Sequence, residues 1–182
     1  DEVEKVLRDL EELIRRSETD IRRLLEELKK LIDDTRREVK KVLDDLRRRI
    51  KEVLDRIRRN PEKREEIERL VRELKRKVEE IEKRLERLNE EVERKIREII
   101  RRIRETNKTL RKKVRELEKR LRGDEARERL KDTVTKASRR HEKVERDLEK
   151  LLEEHHRAIE KLRKELRDLV RKAKEDIDRA RK

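Results

Sequence analysis

The chain has 182 residues, of which 62% are charged and none is aromatic, and its formal net charge is +14 at pH 7. It contains no Cys, which excludes disulfides and thiolate chemistry. No apolar run approaches the roughly 18 residues that a membrane span needs, so no membrane partner is predicted. High charge with low hydrophobicity is typical of disordered chains, but here the apolar residues are strictly periodic, which indicates a folded helical protein.

The first predicted element is a helix of about residues 2–59. Its apolar residues recur every 18 positions, as in the class Val3, Ile21, Val39 and Ile57. Eighteen residues make five turns of a helix with 3.6 residues per turn, so the apolar face stays aligned in a nearly straight helix. The break at Asn60-Pro61 ends this helix, because Asn60 can cap the next helix and Pro61 suits a first turn.

The second predicted helix, about residues 61–121, repeats the pattern with Ile67, Leu85, Ile103 and Leu121. Gly123 can end this helix in the left-handed backbone region, and Asp124 can cap the helix that follows.

The third predicted helix, about residues 125–181, carries the class Leu130, Leu148 and Leu166. Short loops require antiparallel neighbours, and a helix of about 60 residues is roughly 90 Å long. The sequence therefore predicts one all-α domain over residues 1–182. We expect an antiparallel up-down-up three-helix bundle of long, nearly straight helices, similar to a coiled-coil rod.

The 18-residue pattern, the purely aliphatic core, the minimal Asn60-Pro61 and Gly123-Asp124 loops and the Arg/Lys/Glu surface occur together along the whole chain. In these features the sequence resembles parametrically designed, de novo helical bundles with buried hydrogen-bond networks. The resemblance implies an idealised backbone and buried polar layers.

Six polar residues stand at positions where the pattern is otherwise apolar. Counted along an up-down-up fold, they reach two levels, with one residue per helix at each. The predicted structural networks are Ser17–Asn107–His141 and Thr35–Asn89–His155, with Thr106 and Thr133 as possible further members. A buried amide or imidazole costs free energy unless it is hydrogen-bonded, so such layers favour one register of the helices. The alternative is that some of these side chains lie at the core edge and bond only to water.

No catalytic, metal or cofactor site is predicted. His141 and His155 are 14 residues apart, about 21 Å along a helix, and no HExxH motif is present. Ser17 near His141 is the one nucleophile–base candidate, and a packed core offers it neither a cleft nor an oxyanion donor. A single Gly excludes a Gly-rich phosphate loop.

The positive charge suggests nucleic acid as a partner, but its distribution argues against specific binding. Residues 94–122 hold 14 basic and 4 acidic residues, and in the folded hairpin they lie beside residues 1–27, which hold 6 basic and 10 acidic residues. This alternation favours the antiparallel pairing of the helices themselves. No aromatic residue is available to stack on bases, so we expect loose, salt-sensitive association with polyanions and no specific nucleic-acid binding.

The sequence thus favours a designed structural scaffold with no natural biochemical function, no required partner and a monomeric state. One alternative is a binding module or oligomer whose apolar groove accepts a further helix, since Leu54 and Ile100 widen the apolar face. Another is a bundle that responds to pH through its buried histidines. The mass in solution separates the monomer from the oligomer.

Overall fold

The computed structural model describes residues 2–182 of the chain. Three α-helices follow one another: α1 is Glu2–Arg59, α2 is Arg64–Glu118 and α3 is Asp124–Ala180. No strand occurs within residues 2–182. The prediction of an all-α, three-helix bundle is therefore confirmed.

The charges at the helix ends support these boundaries. Acidic residues occupy the first turn of every helix, as Asp124 and Glu125 do in α3, and basic residues such as Arg58 and Arg59 occupy the last turn of α1. Each sign of charge stabilises the end of the helix dipole next to it.

α1 continues through the stretch Ser17–Asp20, although Ser and Thr residues there resemble a helix start. The hydroxyl of Ser17 donates to the carbonyl of Leu13 at 3.0 Å, and that of Thr19 donates to Arg15 at 2.9 Å. Both groups are satisfied by the preceding turn of their own helix, so neither competes with helix continuation.

The chain divides into two compact units, and each contains a segment of all three helices. The first unit comprises residues 2–30 and Glu93–Glu153, and the second comprises Leu31–Val92 and Glu154–Lys182.

The core of the first unit is aliphatic. It packs the start of α1 against the end of α2 and the start of α3, through Val6, Leu7, Leu10, Ile14, Leu110, Leu117, Leu121, Leu130, Val134 and Ala137. Further along α1, Glu27 pairs with Lys95 of α2 at 2.8 Å, so the two helices run antiparallel. Glu4 and Glu18 of α1 pair with Arg129 and Arg140 of α3, so these two helices run parallel.

The second unit has a separate aliphatic core. Its buried residues are Val39, Leu43, Leu46, Ile50, Val53, Ile57, Ile67, Leu74, Ile81, Leu85, Leu166, Ala173 and Ile177. Glu38 of α1 pairs with Arg84 of α2, and Arg56 pairs with Glu66, so α1 and α2 are antiparallel in this unit as well.

The loop between α1 and α2 is a turn over residues 60–63. The backbone N–H of Lys63 donates to the carbonyl of Asn60 at 3.2 Å, with Pro61 inside the turn, and α2 begins at Arg64. Asn60 is therefore the first residue of a turn that precedes α2, whereas the sequence suggested it as the cap of that helix. Pro61 suits this position because its ring fixes φ near the value that the second residue of a turn requires.

The loop between α2 and α3 covers residues 119–123. Gly123 has a φ of 98°, and its carbonyl accepts the N–H of Arg127, which starts the hydrogen bonding of α3. Gly123 does adopt a positive φ, as predicted, but it directly precedes α3 and does not directly follow α2. None of the helices within residues 2–182 is long and apolar enough to cross a membrane.

Candidate functional site

The candidate site is a buried polar pair between α2 and α3 in the first unit. His141 Nδ1 lies 2.9 Å from Asn107 Oδ1, and the two residues are only 2% and 7% exposed. An amide oxygen can accept a hydrogen bond but not donate one, so Nδ1 carries the proton and donates to Asn107. The neutral ring therefore presents an unprotonated Nε2.

His141 Nε2 is itself buried. It has no hydrogen-bond partner among residues 2–182. A lone pair enclosed in this way loses its hydration without replacement, which leaves one unsatisfied acceptor inside the first unit.

The charge environment of His141 comes from both neighbouring helices. Burial lowers the pKa of His141 below its usual value, because desolvation disfavours the charged ring. The carboxylate of Glu18 on α1 acts in the opposite direction, and the adjacent Arg140 guanidinium reinforces the lowering. Glu18 and Arg140 form an ion pair at 2.7 Å, so the two opposing charges lie together beside the imidazole.

Ser17, Thr106 and Thr133, the other residues predicted for this layer, bond within their own helices. Ser17 donates to Leu13, Thr106 to Arg102 and Thr133 to Arg129, each four residues back. Ser17 and Thr106 line one cleft of about 200 Å³ at the surface of the first unit. The structure thus joins Asn107 and His141 and leaves the three hydroxyls at the edge of the core.

The second predicted layer lies in the second unit. Thr35 and His155 are buried and Asn89 is half-buried. The Thr35 hydroxyl donates to the carbonyl of Leu31 at 2.7 Å. A network joining Thr35, Asn89 and His155 stays a prediction.

The arrangement does not assemble a nucleophile with its base. The Ser17 hydroxyl is bonded to Leu13 and the Nδ1 of His141 to Asn107, so no hydrogen bond links Ser17 to His141. No group of three or more potential metal ligands occurs within residues 2–182.

The sequence reasoning missed two charged residues of the candidate site, Glu18 and Arg140. They do not interrupt the apolar pattern, which is the signal that singled out the polar layers. Their positions could have indicated them, because Glu18 directly follows Ser17 and Arg140 directly precedes His141, and both neighbours are predicted layer residues.

Comparison with known proteins gives little beyond this geometry. No family model and no curated protein matches the chain. Two solved chains match, and one is described as a "Computationally designed three helix bundle". It is 20% identical, with a TM-score of 0.49, and the alignment covers 100% of this chain and 85% of that one. At this level the similarity carries no argument about function, and the fold class rests on the helices and cores described above.

Proposed function

We propose that this chain is a designed structural scaffold, without a natural biochemical activity, whose buried polar residues specify the register of its helices. The observation that carries the proposal is the hydrogen bond from His141 of α3 to Asn107 of α2. It is a directional contact in a unit whose buried core cluster consists of Leu, Ile, Val and Ala side chains.

The physical argument concerns what happens when the register changes. Sliding α3 by seven residues, about two turns, keeps its apolar face within about 20° of the core but moves the imidazole by about 10 Å along the helix axis. The bond then breaks, and each buried group left without a partner costs about 1–3 kcal/mol. Aliphatic packing alone distinguishes registers weakly, since volume-conserving exchanges among apolar residues cost little. The cross-helix ion pairs each keep one exposed partner, such as Glu27 at 54% and Arg104 at 66%, and add little to this discrimination.

The test compares a single with a double substitution. Asn107→Leu alone leaves the His141 imidazole buried without its acceptor, and should lower the free energy of unfolding by about 1–3 kcal/mol. Asn107→Leu with His141→Leu removes both polar groups and should restore or exceed the original stability. The double variant should, however, populate more than one register, which would be seen as additional peaks in the amide NMR spectrum.

The matched control is Ser17→Ala, which removes a hydroxyl that bonds only to its own helix. This variant should keep a single set of amide peaks. A single set of peaks from the double variant, at the original positions, would show that the register is specified elsewhere and would overturn the proposal.

A second candidate function, a response to pH, is favoured by a specific observation. The buried Nε2 of His141 has a free lone pair, and the pKa of the ring is lowered by burial. Protonation would place a second donor and a positive charge in the core beside Arg140, which destabilises the folded state at low pH.

A further inference from the structure

Between residues 94 and 115, one face of α2 carries only basic residues. The basic stripe, as we define it, consists of Arg94, Arg97, Arg101, Arg104, Lys108, Arg111, Lys112 and Arg115. Successive members are three or four residues apart, except for the adjacent Arg111 and Lys112, and all eight fall within an arc of about 100° on the helix. The acidic residues of the same stretch, such as Glu98 and Glu105, fall outside that arc, and all eight members of the stripe are exposed.

Little of this charge is neutralised within the molecule. Arg104 reaches an acid of another helix, Glu145 at 2.7 Å, and remains 66% exposed. Arg97 and Arg101 have contacts at 3.8 and 4.0 Å with acids one turn away, and their side chains are 71% and 74% exposed. The other five members, Arg94, Lys108, Arg111, Lys112 and Arg115, form no ion pair with any residue of the described chain.

The opposite face of α2 is buried in the core. Ile96, Ile99 and Ile103 are completely buried, and no large hydrophobic residue within residues 2–182 is exposed. Binding to a lipid surface by an amphipathic helix requires an apolar face that can enter the bilayer boundary, and α2 has none to offer. The stripe therefore presents charge alone.

The chemistry of the stripe matches a phosphate polymer. Six of its eight members are Arg, whose planar guanidinium donates two parallel hydrogen bonds to a phosphate. The eight cations lie along about 32 Å of helix, one per roughly 4 Å. This spacing is close to the roughly 3.4 Å of axis per negative charge along one strand of a duplex. Single strands are usually held by aromatic stacking, and the chain has no aromatic residue.

We propose that the basic stripe of α2 is a docking surface for the phosphate backbone of double-stranded nucleic acid, bound without sequence preference. Contacts with phosphates position a protein on a duplex but carry no sequence information. Binding through the stripe is therefore the same for duplexes of different sequence, and it weakens steeply as salt rises because it releases counterions from the duplex.

The experiment uses the full chain and a fluorescently labelled duplex of mixed sequence, with binding followed by anisotropy between about 50 and 200 mM NaCl. The test variant replaces four adjacent members without cross-helix partners, Lys108→Gln, Arg111→Gln, Lys112→Gln and Arg115→Gln. Gln preserves helix propensity, so circular dichroism should remain unchanged.

The control variant removes the same amount of charge from α1 of the same unit. Lys5→Gln, Arg8→Gln, Arg15→Gln and Arg22→Gln are exposed basic positions that alternate with Glu4, Glu11, Glu18 and Glu26. Both variants lower the formal net charge from +14 by four, to +10. A difference between them therefore reports the stripe and not the total charge.

In the test variant we expect the slope of log affinity against log salt to become shallower by about 3–4, and the affinity at low salt to fall at least about tenfold. The control should lose less than about threefold, and a second duplex of different sequence should bind equally well. Equal losses in the test and control variants would overturn the proposal.

Two further probes test the occupant. One probe is a vesicle that contains phosphatidylserine, and the other is a polyglutamate peptide. Binding to each is compared with binding to the duplex at equal concentrations of negative charge. Weaker binding to both supports the phosphate-duplex assignment. Binding to either that equals duplex binding and is lost in the test variant would show that the stripe serves a different class of partner.

Discussion

At the scale of single residues, we expect the stability of the first unit to depend on pH through the buried His141. Its pKa is lowered in the folded state, first by burial. Above about pH 6.5 the ring is neutral in both the folded and the unfolded chain, so stability does not depend on it. Below that pH the unfolded chain binds a proton that the folded core disfavours, so stability falls by up to about 1.4 kcal/mol per pH unit until the folded pKa is reached.

An NMR titration of the imidazoles, with variants of the adjacent ion pair, tests this environment. Glu18→Gln removes the carboxylate that favours the charged ring, so the pKa of His141 should fall further. Arg140→Gln removes a repelling cation, so the pKa should rise. Shifts of the same sign in the two variants would contradict the assigned roles of Glu18 and Arg140. The exposed His156 serves as the reference signal in each spectrum.

The same scale shows why part of the candidate site could be predicted from the sequence. Asn107 and His141 interrupt an apolar pattern, and their long side chains reach across to another helix, so the pattern and the level count were enough to pair them. Ser17 and Thr106 interrupt the pattern too, but their short hydroxyls reach the carbonyl four residues back. Residue spacing cannot distinguish a hydroxyl satisfied by its own helix from one that crosses the core.

At the scale of the helices, the 18-residue pattern defines the helix interiors but carries no information about loop geometry. The sequence predicted a second helix over about 61–121, and the structure begins α2 at Arg64 and ends it at Glu118. The difference arises because Pro61 is used in a turn and because the end of α2 unwinds at residues 119–120. These choices depend on backbone hydrogen bonds, which apolar periodicity does not report.

Gly123→Ala tests the backbone requirement of the second loop. A Cβ at this position would meet no atom within 4 Å, so the substitution creates no clash with neighbouring atoms. The φ of 98° is nevertheless unfavourable for any residue with a Cβ, and we expect a destabilisation of about 1–2 kcal/mol. The measurement is the urea midpoint. Thr109→Ala, at an exposed position in α2, is the control and should leave stability unchanged or slightly raised. Equal midpoints for the two variants would mean that the loop does not require a positive φ.

At the scale of the whole molecule, charge and burial act on different properties. Most of the ion pairs are exposed, and pairs of this kind contribute little to stability. The formal net charge of +14 governs instead how copies of the chain meet each other and how they meet polyanions. Stability comes from the two aliphatic cores, whose residues lie on all three helices.

The mass in solution tests the rival interpretation, in which an open apolar groove accepts a further helix. Leu54 and Ile100, the residues expected to widen the apolar face, are half-buried, and no large hydrophobic residue within residues 2–182 is exposed. We therefore expect light scattering to give the monomer mass of 22.7 kDa at every salt concentration.

Salt makes the measurement of mass decisive. At low ionic strength the net charge keeps copies apart even if an apolar groove exists. Raising the salt from about 0.1 to 1 M shortens the screening length from about 10 to 3 Å and removes that repulsion, while apolar attraction persists. A scaffold with closed cores should remain a monomer under both conditions. A mass that doubles at high salt, and returns to the monomer value in Leu54→Gln or Ile100→Gln, would identify an apolar face that accepts a further helix and would overturn the monomeric interpretation.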